Sequence, residues 1–257
     1  MDSSRTRDKG QEPVYRRCMS PAQLAPHDGA PGPLLTSGRD VDVYALDEER
    51  VLRRNRDGHS VLPEAAIVRH VHAHGFPAPQ VFRAEGADLE MERLHGPTLL
   101  QALAALEVPL REGAGILADL LNRLHRIPAP QDTLLTAGRP GDVVVHLDLH
   151  PGNVILTESH GPAVVDWASA RVGSPALDVA TTALLLAEVV VDEGGDYSQA
   201  AQALLVAFLA AVEHDPLPAL DEAQQLRARD THLVPGEREL VPAAAALVRR
   251  YTPGARD

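Results

Sequence analysis

Four polar residues stand at fixed intervals beside β-branched runs. The segment reads Val-Val-Val-His146-Leu-Asp148-Leu-His-Pro-Gly-Asn153-Val-Ile-Leu, then the turn-rich Glu158-Ser159-His160-Gly161-Pro162, then Ala-Val-Val-Asp166-Trp167. Two short strands joined by a turn form a hairpin. That geometry puts Asn153, just before the first strand, near Asp166, just after the second, so both side chains can hold one hard cation through oxygen. Asp148 enters the same loop five residues before Asn153 and can accept a proton beside such a cation. A lone Asp-x-x-x-x-Asn is more often turn chemistry than a metal site. Four polar positions in this order, each at a strand mouth, make coincidence a poor explanation.

The elements around this segment fall into two groups. Residues 1–33 hold five prolines and scattered charge without periodicity, the composition of a flexible segment. From Leu34 short strands begin, and Val41, Val43 and Ala45 alternate before an acidic turn leads to Arg50–Arg53. Ser60 can cap a helix running to His74, stopped by Gly75 and kept from resuming by Pro77 and Pro79. Strands follow at 81–84 and 89–91. Beyond Gly96-Pro97 the period is helical: Thr98 caps an Ala/Leu segment, and Ile116, Leu117, Leu120, Leu121 and Leu124 form a stripe on a second helix. Strand runs return at 143–145, 154–156 and 163–165, and the chain from Leu177 is helical.

His-x-Asp-x-x-x-x-Asn followed by strand, turn, strand and Asp resembles the catalytic and metal loops of protein-kinase-like folds. The form His-x-Asp-x-His-Pro-Gly-Asn, with Asp-Trp in place of Asp-Phe-Gly, is similar to the aminoglycoside-phosphotransferase and choline-kinase branch. The resemblance implies an α+β, two-lobed fold: a small antiparallel-sheet lobe with one helix over 34–93 that binds nucleotide, and a mainly helical lobe over 94–257 with the catalytic loop and substrate site. It implies Asp148 as catalytic base, Asn153 and Asp166 as Mg2+ ligands, and His146 as a brace. ATP or GTP would be the co-substrate and a small-molecule hydroxyl the acceptor.

In such folds a basic residue on the third strand grips the phosphates and pairs with a glutamate on the next helix. Arg53 and Glu64 occupy those places, although the common pattern has lysine. Glu64 shares a helical face with Ile67, Val68 and Val71, and a carboxylate there requires a cation. By the same resemblance, Ser37 and Gly38 lie in the loop above the phosphates, backbone groups near Glu92 and Leu94 read the base edge, and Asp178 ties the following helix to the catalytic loop. His125 reads as core, Met91 as core, and Arg54 as a surface residue.

Composition excludes other chemistry. Lys9 is the only lysine, so neither a Walker-type phosphate loop nor a Schiff-base enzyme can be built in the remainder. Cys18 is the only cysteine, leaving no intrachain disulfide or thiolate cluster and fitting a cytoplasmic location. A net charge of −12 argues against a nucleic-acid partner. No signal or transit pattern is readable from Met1 to Gly10, and the apolar run 179–191 reads as a core helix and not a membrane span. The expected state is a monomer or dimer. His150 lacks companion ligands at metal-binding spacing, and His70, His72 and His74 read as surface residues. Glu213, Asp215, Asp221, Glu222, Asp230, Glu237 and Glu239 read as solvated helix faces, although an amino sugar would suit such a surface. Two competing functions remain: a catalytically weak nucleotide-binding regulatory protein of the same fold, and a metal-dependent hydrolase.

Overall fold

The computed structural model describes residues 31–38, 40–130, 141–192, 198–230, 233 and 236–254. Apart from 31–33, the segment expected to be flexible lies outside these residues, as do Lys9 and Cys18.

The first group of strands forms one antiparallel sheet in the order β1-β2-β3-β5-β4, with β1 Leu34–Ser37, β2 Val41–Ala45, β3 Arg50–Asn55, β4 Val81–Glu85 and β5 Asp88–Glu92. β3 lies at the centre, and its Arg53 pairs with Val43 on one side and Leu89 on the other. Helix α1, Leu62–Ala73, connects β3 to β4. Its Ala65 packs with Val61 and Leu89 beneath the sheet, whereas Ile67, Val68 and Val71 belong to the main core. One amphipathic helix thus joins the sheet to the rest of the molecule. Val61, not Ser60, occupies the N-cap position; the Ser60 hydroxyl instead accepts from the Leu62 amide at 3.3 Å, and Pro63 sits in the first turn. Proline is tolerated there because first-turn amides have no helical partner.

After the connection at 93–98 come α2, Leu99–Ala104, and α3, Leu110–Leu124. Thr98 and Gln101 form a reciprocal capping box on α2. The α3 stripe buries Leu117, Leu120, Leu121 and Leu124 in the main core. Helix α4, Pro175–Val191, is apolar on most sides and runs through the core, packed by α5, Ser198–Leu209, α6, Leu220–Arg229, and α7, Glu237–Tyr251, while α3 packs on α5. Between α3 and α4 lie two small antiparallel ladders: β6, Val143–Val145, with β9, Arg171–Gly173, and β7, Val154–Thr157, with β8, Gly161–Val164. β9 was not expected; at three residues it carries no period, and it exists only because β6 offers an edge to pair with. Among the described residues no helix is long and apolar enough to cross a membrane.

Candidate active site

The β7/β8 register pairs Val154 with Val164, and the Val165 amide donates to the Asn153 carbonyl at 3.0 Å. The ladder therefore brings the two strand mouths together and delivers Asp166 beside Asn153. Asn153 Nδ2 donates to the Asp148 carbonyl at 2.9 Å and to its carboxylate Oδ2 at 3.2 Å. With its amide nitrogen thus engaged, the Asn153 oxygen is left for another partner.

Two residues here hold left-handed backbone without being glycine: Leu147, at φ 63°, and Asp166, at φ 62°. Such conformations cost about 1 kcal/mol or more and persist where surrounding bonds hold them. Asp178 is one such anchor. Its fully buried carboxylate accepts from the amides of His146 at 2.9 Å and Leu147 at 2.7 Å, and from His125 Nε2 at 3.0 Å. Burial alone would raise the Asp178 carboxyl, but the His125 bond and charge and the two amides outweigh it and hold the carboxyl below its ordinary value. His146 is the second anchor. Its Nε2 donates to the Val165 carbonyl at 3.2 Å, its Nδ1 accepts from the Asp148 amide at 3.2 Å, and burial keeps the ring neutral. Trp167 lies edge-on to both His146 and Phe76 and donates through Nε1 to the Val164 carbonyl at 3.0 Å. His150 closes the loop by accepting from the Gly152 amide at 3.1 Å, and burial pushes its pKa down to about 4.

From the sheet, Arg53 Nη1 meets Glu64 Oε2 at 2.6 Å, with both side chains nearly fully buried, while Nη2 stands 3.9 Å from Asp166 Oδ1. Burial lifts the Glu64 carboxyl to about 7 despite the Arg53 charge. Asp148 is also lifted to about 7, chiefly by burial and then by the Asp166 charge, with Arg227 acting in the opposite direction. A carboxylate poised near neutrality suits proton transfer. Asp166, Asn153, Asp148 and Arg53 are thus brought together through the Asn153–Asp148 bonds, the β7/β8 ladder and the approach of Arg53 to Asp166.

The other expected residues are placed less decisively. Ser37 Oγ donates to Asp42 Oδ1 at 2.6 Å, the Gly38 amide donates to the Val41 carbonyl at 2.7 Å, and Arg56 bonds both Ser37 Oγ and the Gly38 carbonyl. This tight turn spends the donors that a phosphate loop would offer. The Glu92 amide donates to the Gln80 carbonyl at 2.8 Å, so it is not a base-reading group, and its carboxylate accepts from the Gln80 amide. Leu94 is half-buried at the start of the connection to α2. Arg54 pairs with Asp88 through two bonds of 2.6 Å on the surface side.

Sequence reasoning missed the triad beyond Asp148. Arg227 on α6 donates from Nε and Nη2 to Glu188 on α4 and from Nη1 to Asp230, at 2.9–3.2 Å, and its charge is felt at Asp148. Asp230 and Glu237 were expected on solvated faces. Instead Asp230 is held by Arg227, and Glu237 is buried at 5% exposure near Glu188, because α6 and α7 close over the end of α4. Glu213 pairs with Arg126, Asp221 with Arg249, and Glu239 accepts from the Gly236 amide, as exposed acids do.

The chain matches the phosphotransferase enzyme family, APH, over residues 32–142 and 132–226. It belongs to that family. No curated protein matches it. Among solved structures, the streptomycin-ATP-APH(2")-IIa ternary complex is similar at 13% identity and TM-score 0.51, covering 84% of this chain and 92% of that one. The gentamicin-APH(2")-IIa complex gives 15% identity and TM-score 0.52, covering 84% and 89%. A choline/ethanolamine kinase family protein from Mesorhizobium loti gives 14% and 0.51, covering 88% and 90%. At these identities the likeness shows the fold: kinase-like, with an antiparallel sheet ahead of a helical body.

Proposed function

We propose that this phosphotransferase-family protein is a small-molecule kinase that moves the terminal phosphoryl group of ATP or GTP to an acceptor hydroxyl, with Asp148 as base. The observation that carries the reading is the convergence of Asn153, bonded to Asp148, with Asp166, which stands within 3.9 Å of Arg53. The sheet region, 34–93, supplies the nucleotide side, and the helical region, 94–257, supplies the base and acceptor side.

The donor set fits Mg2+. Asn153 and Asp166 offer oxygens from two elements, Asp166 is half exposed, and no group of three or more His, Cys, Asp or Glu ligands exists among the described residues. Magnesium is commonly held by one or two protein oxygens together with substrate phosphates. When bound, it would neutralise phosphate charge. Arg53, held in place by Glu64, grips the phosphates as a fork, which arginine does bidentately. Asp148, fixed by Asn153 and by the His146/Asp178 anchors, orients the acceptor hydroxyl and takes its proton. Positioning supplies most of the acceleration. In this reading backbone groups near Glu92 and Leu94 meet the base edge, and Ser37 and Gly38, in a turn closed by Arg56, lie above the phosphates.

The acceptor side is the region beyond Asp148 bounded by Arg227 and Asp230. The names of the similar structures, streptomycin and gentamicin complexes and a choline/ethanolamine kinase family protein, support an amine-bearing hydroxyl compound. Incubating the protein with Mg2+ and ATP or GTP, against aminoglycosides, macrolides, amino alcohols and sugars, tests the reading by a phosphoryl mass gain on one acceptor. Asp148→Asn is expected to abolish the gain while retaining fold and nucleotide binding. Full turnover in that variant removes Asp148 as base. Nucleotide binding without transfer or hydrolysis would favour the regulatory alternative.

A further inference from the structure

The C-terminal turn of α1 carries a pair of imidazoles that the proposed reaction does not use. His70 and His74 lie one helical turn apart, with ring centroids 4.4 Å apart and planes inclined by 47°. Each ring has one nitrogen committed to a backbone carbonyl: His70 Nε2 to Pro128 at 2.8 Å and His74 Nδ1 to His70 at 2.8 Å. A carbonyl only accepts, so these nitrogens carry the hydrogen in the neutral ring. The lone pairs are then on His70 Nδ1 and His74 Nε2. A carbonyl fixing the far nitrogen is the outer-shell arrangement that orients histidine toward a metal.

We propose that His70 Nδ1 and His74 Nε2 form an open two-imidazole site for a borderline divalent transition metal such as Zn2+. Metal-nitrogen bonds of about 2.1 Å in tetrahedral geometry place two ligand nitrogens about 3.4 Å apart, a separation that rings 4.4 Å apart accommodate. Water completes the coordination, since no third His, Cys, Asp or Glu joins the pair among the described residues. Imidazole suits Zn2+, Ni2+ and Cu2+, whereas Mg2+ demands oxygen, so this site and the Asn153/Asp166 pair select different ions. His72 is excluded because it is two residues from each partner and so lies on another face of the helix. Because His70 also grips Pro128, beyond α3, a metal here fastens the end of the helix that carries Glu64 to the helical body.

The test is calorimetric titration of Zn2+ into untagged, chelator-stripped protein in excess Mg2+, paired with thermal unfolding. One Zn2+ per chain with micromolar affinity is expected, together with a rise in Tm of a few degrees at saturating metal. His74→Ala, an exposed change, should weaken binding at least tenfold and remove the Tm rise, and His70→Ala should do the same, while His72→Ala keeps both. Absence of Zn2+ binding, binding that survives His74→Ala, or equal loss in His72→Ala overturns the site. None of these outcomes depends on phosphoryl transfer.

Discussion

Arg53 and Glu64 meet at 2.6 Å with side-chain exposures of 5% and 9%, making their contact a buried ion pair between the central strand and helix α1. Truncating one partner strands the other. Arg53→Met is expected to cost about 3 kcal/mol of stability, the order found when a buried pair loses one member, partly offset because a Glu64 already lifted to about 7 can take a proton. Arg53→Lys keeps a charge but not the reach to both Glu64 and Asp166, so it should retain most stability and raise KM for the nucleotide. Urea unfolding and nucleotide kinetics on the two variants separate the roles; equal stability of Arg53→Met and wild type would refute the pairing argument.

Acid acts on the catalytic loop through His150 and Asp178 in two windows. Burial depresses His150 from an ordinary value near 6.5 to about 4, so its contribution to stability falls as pH drops from 6.5 toward 4, by at most about 3 kcal/mol, while Glu64 and Asp148, both lifted to about 7, contribute with the opposite sign between about 7 and 4. Asp178 is depressed below 3.8, so its contribution is complete above that value and is lost only as pH falls further, through its folded pKa. His150→Asn keeps an acceptor for the Gly152 amide without a titrating ring. Relative to wild type its unfolding free energy should gain as pH falls from 6.5 to 4 and run parallel below, because the Glu64 and Asp148 contributions are common to both. A difference between the two profiles without slope from pH 6.5 to 4 would contradict the burial of His150.

Local spacing made part of this site legible. Asn153 and Asp166 are brought together by a hairpin whose turn residues, Ser159 and Gly161 among them, are read directly. Glu64 betrayed its need for a cation by sharing a face with Ile67, Val68 and Val71, and Arg53 was the nearest candidate on a strand. Arg227 gave no such signal. It sits in a helix of mostly polar residues, and its partner Glu188 is 39 positions away, interrupting an apolar run; their meeting depends on how α6 crosses α4. Glu237 was misread for the same reason, since an acid in a helix's first turn is usually solvated and only the packing of α7 buries it. Arg56 was hidden differently: its role lies in closing a turn of another strand pair.

The Arg227/Glu188 contact should behave as a unit. Glu188 is buried, and burial raises its carboxyl against the opposing Arg227 bond. Arg227→Met leaves that carboxylate to be neutralised or exposed, at about 2–4 kcal/mol, whereas Arg227→Met/Glu188→Leu replaces the pair with apolar volume and should recover most of the loss. A double-mutant cycle by thermal unfolding reads the coupling directly. Additive losses in the double variant would show that the two residues do not support each other.

Gly96 is where the connection from the sheet passes the helical body, and it offers a test of that crossing. Its φ is +147°, and an added Cβ would lie 2.1 Å from the Leu156 carbonyl oxygen on β7, whose own amide donates to the Pro97 carbonyl at 2.9 Å. Backbone opposes backbone there, so no side chain can swing aside. Gly75, at φ +76° with nothing within 4 Å of its added Cβ, suffers conformational strain alone. Gly75→Ala is therefore expected to cost about 1 kcal/mol, the left-handed penalty. Gly96→Ala should cost about 3 kcal/mol and shift the connection, which carries Leu94, relative to β7. Because that shift reaches the nucleotide side, KM for the nucleotide should rise in Gly96→Ala but not in Gly75→Ala. Equal stabilities for the two variants would mean that the strand and the connection do not approach as closely as 2.1 Å implies.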